Sequence, residues 1–288
     1  MLRISTEIGS ISKFKNTGDF KALELLAKAG FDCYDYSMDK VYVFDFKKRF
    51  FYPITHPLGK FGWKNYAKRL RSQADKLNLK CNQMHAPFPI TFKEHKRWII
   101  RSFKVAKILG TEVCVIHPED IRNTYSNVDF YKKILKIAKK YNLKIACENM
   151  WVWNNELDHI EKAACSTPNE FAGLIDAIND PNFGACVDVG HAEMKGSNTS
   201  AKEMIEVLGE RVIALHLHDN DKWKDSHEIP FTMNINFDDI CSSLKKINYK
   251  HDLTLEALNH FNFNPNEKIE DGVEKMANAI KKIASMLD

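Results

Sequence analysis

The chain has 288 residues, a length typical of one α/β barrel or one doubly wound domain. Hydrophobic residues make up 44% of it and charged residues 28%, the composition of an ordinary globular protein. The net charge of +4, from 42 basic and 38 acidic residues spread along the chain, argues against nucleic acid as a partner. No apolar run approaches the ~20 residues that cross a bilayer, and residues 1–14 lack the apolar stretch of a signal peptide. We therefore expect a soluble, cytoplasmic protein without a membrane partner.

The seven cysteines give a second indication of the compartment. Their number is odd, none forms a C-x-x-C pair, and four of them lie in apolar runs, namely Cys81, Cys114, Cys147 and Cys186. This pattern predicts buried free thiols in a reducing compartment, and it offers no thiolate metal site.

Short apolar segments alternate with longer amphipathic ones along the whole chain. The predicted strands are, in chain order, residues 2–8, 31–37, 79–86, 112–118, 143–149, 183–189, 212–218 and 252–258. The clearest helical patterns cover residues 20–30, 101–110, 127–142 and 270–287, and the first two end in a glycine that suits a C-cap. Strands that alternate with helices in this way predict a parallel sheet.

Eight such units in one chain favour a single-domain (β/α)8 TIM barrel over residues 1–288. A doubly wound open sheet is the structural alternative, but neither of its glycine-rich phosphate motifs, GxGxxG or GxxxxGK[ST], occurs. No linker composition indicates a second domain. Long connections at 150–167 and 219–237 follow the fifth and seventh strands, where a barrel carries its chemistry.

Ligand-type side chains stand at or just after the ends of six consecutive predicted strands. They are His85, His117, Glu148, Asp188 with His191, His216 with His218, and Glu256; Asp225 and His227 follow in the loop after the seventh strand. Taken alone, a histidine is more often a hydrogen-bonded core or surface residue, and Asp188 is equally well a helix N-cap. A glutamate inside an apolar strand, however, is costly to bury without a partner. Because strand ends converge on one axis in a closed barrel, the set predicts one shared polar site.

Converging carboxylates repel one another unless some are protonated or a cation lies among them. Carboxylates together with imidazoles suit Mn²⁺, Co²⁺, Zn²⁺ or Fe²⁺, whereas Mg²⁺ is less favoured by nitrogen ligands. The sequence therefore predicts a divalent metal site.

Seven short motifs occur in a fixed order between residues 85 and 258: HAP, IHP, ACEN, CVDVGH, LHLHDND, DSHEIP and LEAL. With them the chain resembles the xylose isomerase-like TIM barrel superfamily, which includes sugar isomerases, ketose 3-epimerases, inosose dehydratases and endonuclease IV. For the epimerase-like members the resemblance implies one cation held by Glu148, Asp188, His216 and Glu256, with His191 on the substrate hydroxyls. The choice of His216 over His218 follows from aligning the pattern H-x-x-D/E with residues 216–219.

The resemblance to endonuclease IV implies a different set. Its three-metal cluster maps to residues that are all present here, namely His85, His117, Glu148, Asp188, His191, His216, Asp225, His227 and Glu256. A nuclease also needs a basic groove for DNA, and the mild charge argues against one. The chain departs from the superfamily after DSHEIP, where a P-G-x-G turn is usual and residues 230–233 read Pro-Phe-Thr-Met.

The main expectation is a sugar or sugar phosphate isomerase or epimerase. Glu148 and Glu256 would move a proton next to the carbonyl through a cis-enediolate, and His85, His191 and His227 would contact the substrate. Trp151 and Phe88 offer aromatic faces to a sugar, and a hydrophobic anchor for the loop is an equally good interpretation of Trp151. An endonuclease IV-like hydrolase, an inosose dehydratase-like lyase and a non-catalytic sugar-binding relative are the alternatives. Similar proteins suggest a homodimer or homotetramer.

Overall fold

The computed structural model describes residues 2–41, 44–45, 50–51, 56–88 and 93–288, and eight parallel strands form its centre. These strands are β1 (Ile4–Thr6), β2 (Cys33–Ser37), β3 (Lys80–His85), β4 (Val113–Ile116), β5 (Lys144–Glu148), β6 (Phe183–Asp188), β7 (Val212–His216) and β8 (Leu253–Leu255). Each is followed by one principal helix, and these helices are α1 (Asp19–Ala29), α2 (Trp63–Lys76), α3 (Lys93–Leu109), α4 (Val128–Ala138), α5 (Pro168–Ile178), α6 (Ala201–Leu208), α7 (Phe237–Lys246) and α8 (Ile269–Leu287). The predicted alternation of strands and helices is confirmed.

The eight strands close on themselves. Strands β2 to β7 pair side by side in one parallel sheet, and β1 pairs with β8. Parallel bridges between Glu7 and Asp35 and between Leu217 and Leu255 join the two sheets at both seams. The TIM barrel prediction is therefore confirmed, and the open doubly wound alternative is excluded.

The helices cover the barrel because each has one apolar face. In α4, for example, Phe130, Tyr131, Ile134 and Leu135 are buried while the lysines between them are exposed. Gly30 ends α1 in the left-handed conformation (φ +83°), and its N–H bonds the carbonyls of the last turn, as the sequence predicts. The seven cysteines are buried and free, which confirms the predicted state of the thiols.

Several shorter strands, helices and turns lie outside the eight strand–helix units. The predicted loop 150–167 contains an antiparallel hairpin, Trp151–Asn154 with His159–Lys162, and the short strands Phe44–Asp45 and Phe50–Phe51 also pair antiparallel. Short α-helices cover Gly9–Lys13, Val189–Glu193 and His260–Phe263. Single 3₁₀ turns cover Phe14–Asn16, Asp39–Val41, Pro57–Gly59, Tyr125–Asn127, Lys139–Tyr141 and Gly209–Arg211. Within the described ranges, no helix is both long and apolar enough to span a membrane.

Strand alternation decides which side chains enter the barrel. Leu215 packs in the large core between strands and helices, so its neighbours Ala214 and His216 point to the interior. The same period of two places one inward residue at the C-terminal rim of every strand. These eight residues are Glu7, Ser37, His85, His117, Glu148, Asp188, His216 and Glu256.

Candidate metal centre at the mouth of the barrel

The rim residues of the last four strands converge most closely. Glu148, Asp188, His216 and Glu256 are buried, and each offers a ligand atom within 4.8 Å of the others. Nδ1 of His216 lies 3.2 Å from Oε1 of Glu148 and 3.4 Å from Oε2 of Glu256. Among the described residues that line the adjoining cavity there is no lysine or arginine to neutralise the three carboxylates. A donor set of this charge and geometry fits a divalent cation.

Burial and neighbouring charges shift the pKa values of Glu148 and Glu256 in opposite directions. Burial alone raises the pKa of Glu148, but His216 and His117 outweigh it and hold that pKa well below its usual range. Burial likewise raises the pKa of Glu256, and here it prevails and brings the value to about 7. Two carboxyl groups on one cavity, one ionised and one able to carry a proton near neutrality, are suited to acid and base roles.

Two further groups of ligand type share the same mouth. Nε2 of His85 and Nε2 of His117 lie 3.2 Å and 3.0 Å from Oε2 of Glu148. On the other side, His191 and His227 lie 3.3 Å and 3.2 Å from Oδ2 of Asp225. In each of these two groups, as in the first, the ligand atoms lie within 4.8 Å of one another. The structure thus brings together all nine residues that the resemblance to endonuclease IV implies.

Backbone carbonyls orient three of these histidines. Nδ1 of His85 faces the carbonyl of Ala86, Nδ1 of His191 that of Asn149, and Nδ1 of His227 that of Glu256, at 2.8 Å, 2.8 Å and 2.9 Å. Because a carbonyl oxygen can only accept, Nδ1 carries the proton in each ring. The Nε2 atoms thereby face the carboxylates of the site, Glu148 for His85 and Asp225 for His191 and His227.

Asp188 has two roles in the structure. It is the N-cap of the helix Val189–Glu193, where its Oδ1 accepts the backbone N–H of His191 at 2.8 Å, and it also belongs to the four-residue group. Residue 190 is a glycine for a steric reason, since a Cβ at this position would lie 2.0 Å from Cε1 of His218. The ring of His218 lies behind Asp188, with Nε2 2.9 Å from Oδ1, and stacks on His227.

Sequence reasoning missed three rim and near-rim residues. Glu7 and Ser37 occupy the rim of β1 and β2 and line the cavity. Asn149 binds the backbone of Asp188 through both amide atoms, at 2.8 Å and 2.9 Å, and so fixes the end of β5 against the end of β6. Strand alternation was the available signal for Glu7, which stands two residues after the inward-facing Ser5.

The cavity above the four-residue group has a volume of about 340 Å³ and mixes acidic with apolar walls. Trp151 donates its indole N–H to Oδ2 of Asp225 at 3.3 Å, and the ring of Phe88 stacks on His117 with centroids 4.4 Å apart. Both aromatic side chains therefore line the cavity.

Comparison with known proteins identifies the family. The profile of the xylose isomerase-like TIM barrel family matches residues 23–279. The chain belongs to this family. The predicted resemblance to the xylose isomerase-like superfamily is thereby confirmed.

Relatives within the xylose isomerase-like family lie at moderate to low identity. MJ1311, an uncharacterized protein of Methanocaldococcus jannaschii, is 30% identical over 194 residues, which are 61% of this chain and 64% of that protein. The protein y4fM of Sinorhizobium fredii is 33% identical over 87 residues, 30% of this chain and 27% of that protein. The chain thus matches less than two thirds of the length of either curated relative.

Solved structures with the same fold include sugar epimerases. A D-tagatose 3-epimerase-like protein is 21% identical with a TM-score of 0.70, covering 99% of this chain and 98% of its own. D-psicose 3-epimerase of Clostridium cellulolyticum, solved with D-tagatose, is 14% identical with a TM-score of 0.72 over 100% of both chains. The IOLI protein, solved with a zinc atom, is 15% identical with a TM-score of 0.75 over 100% of this chain and 99% of its own.

The loop after β7 departs from the P-G-x-G turn usual in this superfamily without losing the turn. Phe231 adopts the left-handed conformation (φ +70°) that a glycine would adopt more readily, and its ring packs on Phe237. The buried carboxylate of Asp219 holds the loop. Its two oxygens accept four backbone N–H groups at 2.8–3.1 Å, from Asn220, Thr232, Met233 and Ile235.

We expect Asp219→Ala to lower the free energy of unfolding by about 2–4 kcal/mol, because several buried N–H groups lose their acceptor together. Urea denaturation measures this change. Asp221→Ala is the matched control, since Asp221 accepts N–H groups of Trp223 and Lys224 in a partly exposed turn and its loss should cost only about 1 kcal/mol. Equal losses in the two variants would show that Asp219 does not anchor the loop.

Proposed function

We propose that the protein is a divalent-metal-dependent sugar isomerase or epimerase that transfers a proton through a cis-enediolate. The observation that carries the proposal is the pair Glu148 and Glu256, two buried carboxyl groups that face one cavity from the ends of β5 and β8 within one group of metal-ligand type. The family and the sugar 3-epimerases of the same fold support it.

In this proposal Glu148, Asp188, His216 and Glu256 hold the cation, as the donor set fits. Mn²⁺, Co²⁺, Zn²⁺ or Fe²⁺ is preferred over Mg²⁺, and the zinc atom in the IOLI protein is consistent with that choice. When bound, such a cation supplies a Lewis acid that polarises a carbonyl group and stabilises negative charge on oxygen.

The residues of the chain itself perform the proton transfer. An oxygen of one glutamate takes the proton from the carbon next to the carbonyl, and the other glutamate returns a proton to the opposite face or to the adjacent carbon. His191, whose Nδ1 faces the carbonyl of Asn149 and whose Nε2 lies 3.3 Å from Oδ2 of Asp225, contacts the substrate hydroxyls in this proposal together with His85 and His227. Trp151 and Phe88 supply apolar walls for the C–H groups of the sugar and exclude water.

The acidic lining favours a neutral sugar over a sugar phosphate. Glu7 and Asp225 line the cavity together with the two glutamates, and the described lining residues include no lysine or arginine. Asp39 and Glu119 also line it, but they are paired with Lys13 and Lys96, which are not lining residues. A phosphate dianion in these surroundings would be repelled.

Solvent exchange tests the proposal even when the product of the reaction is not identified. The protein, loaded in turn with Mn²⁺, Co²⁺, Zn²⁺ or Fe²⁺, is incubated in D₂O with a panel of ketohexoses, ketopentoses and their phosphates. We expect deuterium on the carbon next to the carbonyl of at least one sugar, observed by NMR, and none with chelator-treated protein. Absence of exchange in the fully loaded protein across the panel contradicts the proposal.

The three adjoining ligand groups favour one second candidate, a phosphodiester hydrolase of the endonuclease IV type. Its signature would be three bound metal ions per chain and cleavage of duplex DNA at abasic sites. Elemental analysis of the loaded protein and incubation with such a duplex distinguish it from the sugar enzyme. An inosose dehydratase-like lyase would instead release water, which mass spectrometry of the product detects.

A further inference from the structure

One buried carboxylate lies inside the barrel, below the candidate metal centre. Asp35 points inward from the middle of β2 and is fully buried. Its Oδ2 accepts the amide N–H of Gln83 at 3.0 Å, and its Oδ1 has no hydrogen-bond partner in the part of the chain that the structure describes. An ionised group in this position needs a further donor.

One candidate donor is the ring of His216, which approaches the same Asp35 oxygen that Gln83 contacts. Nε2 of His216 lies 3.7 Å from Oδ2 of Asp35, just beyond hydrogen-bonding distance, and it too has no hydrogen-bond partner among the described residues. The opposite ring nitrogen, Nδ1, faces Glu148 and Glu256. The imidazole therefore spans the gap between Asp35 and the metal-binding group.

A chain of hydrogen bonds through the barrel interior fixes the orientation of the Gln83 side-chain amide, which contacts Asp35. Ser5 donates to Asn82, Asn82 donates to the hydroxyl of Thr254, and that hydroxyl donates to Oε1 of Gln83, at 2.7 Å, 2.9 Å and 3.3 Å. Because Oε1 of Gln83 is occupied, its NH₂ group must face Asp35. The chain of hydrogen bonds therefore ends at Asp35, whose carboxylate accepts the N–H of Gln83.

His216 differs from the other oriented histidines of the site. His85, His191 and His227 place Nδ1–H on a backbone carbonyl and present Nε2, whereas His216 presents Nδ1 and has no carbonyl at Nε2. Without an acceptor at Nε2, the proton is free to occupy Nδ1, which would block the ligand atom. A carboxylate at Nε2 removes that alternative.

We propose that Asp35 is a positioning residue that accepts the Nε2 proton of His216 and thereby keeps the lone pair of Nδ1 directed at the cation. The inference rests on the metal site of the proposed function but on none of its sugar chemistry. At 3.7 Å this hydrogen bond is not formed in the structure, so the proposal requires Nε2 of His216 and Oδ2 of Asp35 to move closer when the cation binds.

The test measures Co²⁺ binding and the visible absorption of the Co²⁺ protein for wild type, Asp35→Asn and Asp35→Ala. Removal of the outer partner of a ligating histidine costs about 10- to 100-fold in metal affinity, and we expect a loss in this range for Asp35→Ala. Asp35→Asn retains a neutral oxygen acceptor, so it should recover part of the affinity. Both variants should shift the ligand-field absorption of Co²⁺, which an effect on folding alone would not move.

Asp19→Asn is the matched control. Asp19 is also buried, but its carboxylate accepts the hydroxyls of Tyr36 and Tyr66 outside the barrel interior, at 2.6 Å and 2.9 Å. We expect this variant to lose stability in thermal unfolding of the metal-free protein while it keeps wild-type Co²⁺ affinity and absorption. If Asp35→Asn and Asp35→Ala bind Co²⁺ as tightly as wild type with an unchanged spectrum, the inference is wrong. If the wild-type protein itself binds no Co²⁺, the proposed metal site is wrong, and the role of Asp35 that depends on it is wrong as well.

Discussion

Replacing Glu256 with glutamine is expected to lower the turnover number by about 100- to 10,000-fold, because the amide can neither take nor return a proton. The natural side chain is a buried carboxyl group that can accept and return a proton, which glutamine cannot do. The variant has nearly the same volume, and a change in fold is therefore not expected. Turnover is measured with the sugar that exchanges deuterium, at metal concentrations that give full occupancy by elemental analysis.

Glu148→Gln provides the second half of this test, and Glu267→Gln is the control. Glu148 is expected to show a comparable loss of turnover, together with a loss of metal affinity, since two of the ligand groups share it. Glu267 is a partly buried glutamate paired with His260 and Lys275 away from the cavity, so its amide variant should keep turnover within about threefold of wild type. If Glu256→Gln retains full turnover with an occupied metal site, the acid–base assignment is wrong.

The sequence predicts the rim of the barrel well because one rule governs it. Residues two apart on a strand share a face, and the ligand-type residue stands at the end of an apolar strand in β3 to β8, as in Glu148 after Ala146 and Asp188 after Cys186. Barrel closure then forces these ends together, whatever the loops do. The barrel fold and the meeting of the ligand-type residues at its rim therefore both follow from the local pattern of apolar and polar residues along the strands.

The parts that the sequence does not predict depend on contacts between distant strands. Asp35 lies within the segment Cys33–Ser37, where Tyr34 and Tyr36 occupy one face and Cys33, Asp35 and Ser37 the other, a local pattern that equally fits a strand with a solvent-facing aspartate. Its significance comes from Gln83 and His216, which are 48 and 181 positions away in the chain. The hairpin in 150–167 was likewise hidden, because its strands are only four residues long.

Asp188 shows a different limit, since its side chain caps a helix and also occupies a position that the ligand interpretation requires. Its Oδ1 caps a helix, and the residue also belongs to the ligand group. A cap and a ligand make the same demand on sequence, an aspartate at the junction of a strand and a helix. Only a substitution that separates the two roles can apportion them.

Asp188→Asn and Asp188→Ala separate these roles. Asparagine caps a helix about as well as aspartate but lacks the charge, whereas alanine loses both functions. We expect both variants to bind Co²⁺ more weakly by at least about 100-fold, since the loss of a mere outer partner already costs 10- to 100-fold. The unfolding free energy of the metal-free protein should be about 1 kcal/mol lower in Asp188→Ala than in Asp188→Asn, because only alanine leaves the N–H of His191 without its acceptor. Isothermal titration and urea denaturation give the two quantities independently. Wild-type Co²⁺ affinity in Asp188→Asn would reduce Asp188 to a helix cap and remove it from the metal centre.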